Sequence, residues 1–298
     1  LGFSYPDFAL KPPPFEYFAP TKLGEAISLL SDSENARVLA GGQSLMAMLN
    51  MRFVFPDRVI DLNRVPALDF IEQAADDIVV GAMTRQRSLQ RSALIAAQMP
   101  VIPKALRYVG HFQTRNRGTI GGSLCQLDPS AELPAIAMAY DALVEARGPG
   151  GSRSIQMQDF ASSYMTTSLA PDEILTGIRF KPWRGRVGTG FREFSRRHGD
   201  FAVAGAIVLL EAGKDNRVSR ASVTLFGITE TPKRARDVEA MLVGQQLTSD
   251  LCEEASQLCI GYATLEDPYG SAEYRGNVAA AMARDALEEA RNELDATA

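Results

Sequence analysis

The chain has 298 residues, 46% of them apolar, and a formal net charge of −5. That length supports a well-buried core and more than one cooperating domain, while the mixing of acidic and basic residues gives no electrostatic surface for nucleic acid, so any anionic ligand must be held by local groups. Cys125, Cys252 and Cys259 lack CxxC spacing and cannot build a disulfide framework, which fits a reducing cytoplasm; they also fall short of the four thiolates of a common iron–sulfur cluster, and with only His111 and His198 beside them no zinc or haem site is expected.

Residues 1–10 read as an extended leader and are set aside. A short strand at 15–17 precedes a helix in which Leu23, Ala26, Ile27 and Leu30 share a face, with Thr21 as its expected N-cap. A strand at 37–40 runs into Gly41 and Gly42, a helix follows over 44–51, and 58–62 is another strand, so residues 11–60 form a β-α-β-α-β unit. The next region, 61–180, is denser in strands: "LDFIEQAADDIVVGAMT" is patterned as a hairpin, "PVIPKALRYVGHF" has helical spacing at Ile102, Ala105, Leu106 and Val109, "ALVEARGPGGSRSIQM" is a second hairpin turned between Gly148 and Gly151, and "DEILTGIRF" closes as a strand. Over 181–298, three strands ("GFREFSRR", "FAVAGAIVLLEA", "VSRASVTLFGI") precede helical stretches at 232–242, 250–263 and 272–294, an α+β domain whose open sheet is covered on one face. The most apolar window, 201–210, has the length of a buried strand, and no run reaches the roughly eighteen apolar residues of a membrane span.

Two glycine pairs carry the chemistry. "AGGQSL" lacks the GxGxxG spacing and the P-loop lysine. It reads equally as a helix-initiating turn capped by Ser44 or as a cradle in which the amides of Gly41, Gly42, Gln43 and Ser44 hold a diphosphate. The second pair, Gly121 and Gly122, is flanked by Thr119 and Ser123, which again puts hydroxyls beside amides, and two such cradles suit a ligand with two phosphates and a long body. Glu132, just ahead of an apolar helix, is either an acceptor for ribose hydroxyls or an acid at a helix start.

These two motifs, followed in order by "PDEILTGIRF", "FSRRHGDFAVAGA" and "SAEYRGNVA", resemble the FAD-binding medium subunit of the molybdenum hydroxylases, the xanthine dehydrogenase family, with carbon monoxide dehydrogenase and quinoline oxidoreductase as cousins; the resemblance runs from Lys11 to about Ala290. It implies an α+β fold: an FAD domain of the vanillyl-alcohol oxidase type with subdomains over 11–60 and 61–180, then a C-terminal domain with a three-stranded sheet covered by helices. It implies that Leu39, Ala40, Gly41, Gly42, Gln43, Ser44, Leu45 and Met46, with Thr119, Ile120, Gly121, Gly122 and Ser123, wrap the diphosphate of a noncovalent FAD, and that Glu132 takes the adenosine ribose. Val109 and Gly110 would lie along the flavin and its ribityl chain, Leu175 at the adenine, Arg192 near the flavin pyrimidine, and Phe201 beside the isoalloxazine, where core packing is the equal alternative. Arg115 and Arg117 read as diphosphate partners or as solvated or intersubunit charges, Cys125 as a small core residue, and His111 not as a covalent flavin attachment.

The same resemblance implies an oxidoreductase subunit with no catalytic acid, base or metal of its own. Electrons would reach its FAD from the iron–sulfur clusters of a small subunit, after a large molybdenum–pterin subunit oxidises a small, N-heteroaromatic substrate, in a cytoplasmic dimer of heterotrimers. Two alternatives stand beside it: a free-standing flavin reductase of the peptidoglycan enolpyruvyl reductase type, and a nucleotide-binding module without enzymatic activity.

Overall fold

Apolar side chains at helical spacing between strand-length runs organise the start of the chain. In the computed structural model, which describes residues 12–268 and 270–296, β1 (Glu16–Phe18), α1 (Leu23–Ser31), β2 (Ala36–Leu39), α2 (Leu45–Asn50) and β3 (Arg58–Asp61) build a parallel sheet ordered β1-β3-β2. The leader expected over 1–10 lies outside the described residues. Ala26, Ile27 and Leu30 bury one face of α1 in a core that includes Ile60 and Leu62, while the cap position falls to Lys22, which makes no side-chain cap bond, rather than to Thr21.

The second region opens with the expected hairpin, β4 (Ile71–Ala74) and β5 (Asp77–Gly81), whose turn puts Ala75 at φ 56°. Six short helices follow: α3 (Gln86–Arg91), α4 (Ala93–Gln98), α5 (Val101–Ala105), α6 (Phe112–Arg117), α7 (Ile120–Gln126) and α8 (Glu132–Ala139). Then come the hairpin of β6 (Leu143–Gly148) and β7 (Gly151–Gln156), a turn of helix α9 (Met157–Phe160), the small pair β8 (Ala161–Ser163) and β9 (Thr166–Thr167), and β10 (Ile174–Phe180). Strand β10 slots between the two hairpins to give the antiparallel order β4-β5-β10-β6-β7.

The last region places β11 (Arg186–Phe194), β12 (Ala204–Ala212) and β13 (Val218–Phe226) side by side, and a two-residue strand β14 (Lys233–Arg234) joins them where a helix was expected to begin. Helices α10 (Arg236–Leu242), α11 (Ser249–Gln257) and α12 (Ala272–Asp295) complete it, with a 3-10 turn at Leu258–Tyr262 ending the second expected helix early. Strand alternation explains why β12 has no polar side chain from Ala204 to Leu210: Ala204, Ala206, Val208 and Leu210 face the core under α12, whereas Ile207 and Leu209 join the core of the preceding region with Phe191, Phe226 and helix α8. The sheet is therefore covered on both faces, one by its own helices and one by the region before it.

Candidate functional site

The chain leaves β2 at Leu39 and turns through residues 40–44 into α2. Gly42 sits at φ 74°, which L side chains rarely adopt, and its missing side chain faces Met46 and Leu39 at 3.2 and 3.3 Å. Leu39 and Met46 thus pack behind the loop instead of lining the space in front of it. A Cβ on Gly41 would collide with the carbonyl oxygen of Arg117, so glycine is needed there for the two loops to touch, not for a ligand to approach as the sequence suggested. Ser44 occupies the N-cap of α2 but makes no side-chain cap bond, and among the described residues no backbone acceptor faces the amides of Gly42, Gln43 or Ser44. The capped-turn reading is thereby set aside: these donors stay open.

The second glycine pair is built the opposite way. Thr119 caps α7 by accepting from the Gly122 amide at 3.0 Å, while the amides of Ile120, Gly121 and Ser123 donate to the carbonyls of Thr84, Ala82 and Thr119 at 3.1, 2.9 and 3.2 Å. A Cβ on Gly121 would lie 2.6 Å from the Ala82 carbonyl oxygen, and Ile120 is core. The expected bare amides are therefore occupied, and this loop offers a ligand its hydroxyls and its close packing.

Between the loops runs a cavity of about 600 Å³, within the range of small-molecule sites. It is lined by Ala40, Gly41, Gly42, Gln43, Ser44 and Leu45 from the first loop, by Thr119, Gly121, Gly122 and Ser123 from the second, and by Val109, Gly110, Glu132, Leu175 and Phe201. Met48, Gln126, Asp128 and Leu169 also line it, positions without a sequence signal of their own; Gln126 Nε2 reaches Met48 Sδ at 3.8 Å, linking α7 to α2.

Glu132 begins α8 with its carboxyl buried in the cavity wall and, among the described residues, no salt bridge to it. Burial, and next the nearby Glu193, push its pKa up to about 8, with Asp128 adding and Arg115 opposing. Glu193 is raised to about 7 by burial, and its Oε2 has no hydrogen-bond partner. Arg115 contacts the protein and not the cavity: its Nη1 donates to the carbonyls of Val109 and Gly110 at 2.8 and 2.9 Å, fixing the loop that lines the far end. Cys125, expected as a small core residue, is instead exposed and lines the cavity.

Phe201 is 69% exposed at the cavity, which rules out core packing. Its neighbours hold it there: Ser130 Oγ donates to the Ala202 carbonyl at 2.8 Å, and the buried Arg275, in the "SAEYRGNVA" stretch, donates to the carbonyls of Val203 and Gly227 at 2.7 and 2.8 Å. The two histidines meet nearby with ring centroids 6.4 Å apart. Arg192, like Leu39, Met46 and Ile120, does not line the cavity. Its guanidinium pairs with Glu289 and lines a separate acidic groove against α12, because its position on β11 faces that helix.

Open amides beside the Ser44 hydroxyl at one point of the cavity, and the buried Glu132 carboxyl at another, offer donors suited to an anion and an acceptor suited to hydroxyl groups. Fold and site together define a flavin-binding oxidoreductase chain. Residues 13–183 match the family described as FAD binding domain in molybdopterin dehydrogenase, and residues 189–290 the CO dehydrogenase flavoprotein C-terminal domain. The chain is 36% identical to the nicotine 6-hydroxylase medium subunit of Paenarthrobacter nicotinovorans, over 94% of this chain and 99% of that one. Carbon monoxide dehydrogenase from Hydrogenophaga pseudoflava, in a form lacking the Mo-pyranopterin moiety of its cofactor, superposes with a TM-score of 0.91 at 34% identity, over 95% of this chain and 99% of that one. Quinoline 2-oxidoreductase from Pseudomonas putida 86 does so at 0.91 and 32%, with the same coverage of each chain. The chain belongs to the molybdenum hydroxylase family, as its FAD-carrying medium subunit. The free-standing reductase and the non-enzymatic module are set aside by the match of residues 189–290.

Proposed function

We propose that the cavity holds FAD noncovalently, with its pyrophosphate against the open amides of Gly42, Gln43 and Ser44 and the hydroxyl side of the second loop. Glu132 accepts from the adenosine ribose, Leu175 borders the adenine, Val109 and Gly110 border the flavin and its ribityl chain, and Phe201 covers the ring from solvent. When bound, FAD would supply the electron chemistry, one-electron uptake from iron–sulfur clusters on a partner chain and two-electron delivery to a terminal acceptor. This chain's residues orient it and limit water access.

The partners are a large molybdenum–pterin subunit, where substrate is oxidised, and a small iron–sulfur subunit. The likeness to nicotine 6-hydroxylase and quinoline 2-oxidoreductase supports an N-heteroaromatic substrate for that complex. Among the described residues no helix is long and apolar enough to cross a membrane, and the three cysteines are free, which supports a place in the cytoplasm.

The observation that carries the reading is the single cavity joining open amides to the buried Glu132 carboxyl. The test is the spectrum of the purified complex. Absorbance near 370 and about 450 nm that bleaches when an N-heteroaromatic substrate is added, with the flavin released by acid precipitation, is expected. A complex that lacks the bands and takes up no FAD overturns it.

A further inference from the structure

We infer that Asn63 and Arg85, neither of which lines the cavity, form a clamp that sets the spacing of the two glycine loops. Asn63 is fixed first: its backbone amide donates to Asp61 Oδ1 at 2.8 Å in the short turn after β3. Its side-chain Nδ2 donates to the Ala40 carbonyl at 2.8 Å, gripping the first loop one residue before Gly41. Its Oδ1 accepts from Arg85 Nη2, and Arg85 Nη1 donates onward to the Arg117 carbonyl, at the end of α6 where the chain enters the second loop. That carbonyl is the atom against which a side chain on Gly41 would collide, so the clamp closes across the point of loop contact.

The backbone reinforces the grip on the second side. Arg85 bridges Thr119 in antiparallel fashion, and the Gln86 amide donates to the Gly118 carbonyl at 2.9 Å. The planar guanidinium suits the task, since two of its donors point in fixed directions to two acceptors, and a lysine ammonium cannot serve both with the same geometry. Asn63 and Arg85 are therefore positioning residues: they touch no ligand and act through the carbonyls of Ala40 and Arg117. A loop held at its final spacing before binding spares the ligand that ordering cost, and the benefit appears as affinity.

The inference rests on the reading that FAD places its pyrophosphate between these loops, and the experiment separates the two. The intact complex, stripped of flavin, is titrated with FAD as wild type and with Asn63→Ala, Arg85→Met, the double variant and Arg85→Lys. Far-UV circular dichroism and retention of the partner subunits serve as fold controls. Each single variant is expected to raise the Kd for FAD about tenfold. The double variant should lose no more than either single one, because both break the same bridge, and Arg85→Lys should recover part of the loss. ADP, which keeps the pyrophosphate and lacks the flavin, should weaken by the same factor. Wild-type affinity in both single variants, or losses that add in the double variant, overturns the clamp while leaving the cavity reading in place. Failure of the wild type to take up FAD overturns that reading, and the clamp with it. Should Arg85→Met fail to fold, Asn63→Ala and Arg85→Lys decide the question.

Discussion

Glu132 carries a pH dependence that its surroundings define. A carboxyl held up to about 8 by burial and by Glu193 is largely protonated at neutral pH, whereas ribose hydroxyls donate best to the ionised form. With Glu132 accepting from the ribose as proposed, binding would release a proton, and FAD affinity should climb as pH rises through about 8. Titration of the flavin-free complex from pH 6 to 9 checks the sign; in Glu132→Gln the slope should flatten and the affinity at high pH fall by about tenfold. The position of this acid was readable in the sequence, as were the two glycine loops. The roles of the glycines were not, because Gly41 and Gly121 serve contacts with Arg117 and Ala82, residues that sequence distance hides. Arg192 was misplaced for a related reason: strand alternation fixes which side a residue faces only once the packed neighbours, here Glu289 on α12, are known.

At the scale of elements, strands and long helices were legible because their periodicity follows burial. The hairpins β4-β5 and β6-β7, β12, β13 and α12 fall where the patterns put them, whereas β11 starts four residues before the expected strand at 190–197 and ends three before it. Helices α3, α4, α6 and α7 were missed; each is six or seven residues long, too short to show a periodic face, and α7 contains two glycines that tertiary packing against Ala82 and Thr84 forces into a helix. The junction of β11 with α12 is the most closely fitted. A Cβ on Gly190 would run into the Ala286 carbonyl, and one on Gly188 into that of Ala290. Gly190→Val should therefore destabilise the chain by about 3 kcal/mol, read as a lower midpoint in thermal or denaturant unfolding. The two glycine loops should also separate in amide hydrogen exchange: the amides of 42–44 exchange fast without flavin and slow on binding, while those of 120–122 are slow in both states.

For the whole molecule, the contact between the central region and the C-terminal sheet includes one concentrated polar knot. Lys104 on α5 donates to the Thr189 carbonyl at 2.9 Å and to the carboxylates of Glu289 and Glu293 at 2.9 and 2.5 Å. Burial alone would raise the Glu293 carboxyl, but Lys104 and Thr189 outweigh it and hold it below the ordinary 4.5. That share of stability is present above about 4.5 and is lost as pH falls through the lowered value. Lys104→Met, which takes one cation away from the partly buried Glu289 and Glu293 while Arg192 stays on Glu289, should cost about 2 kcal/mol in equilibrium unfolding near neutral pH. The sheet beyond this knot is wedged: Ile207 and Leu209 on one side and Val208 and Leu210 on the other bury β12 from Ala204 to Leu210. A protease cut in the exposed stretch at Arg184 and Gly185 would consequently yield two pieces that travel through a sizing column as one, and neither piece expressed alone would keep its greasy side out of water. The flavin-binding half and its companion are thus inherited as a single physical unit, whatever substrate the complex they serve has come to oxidise.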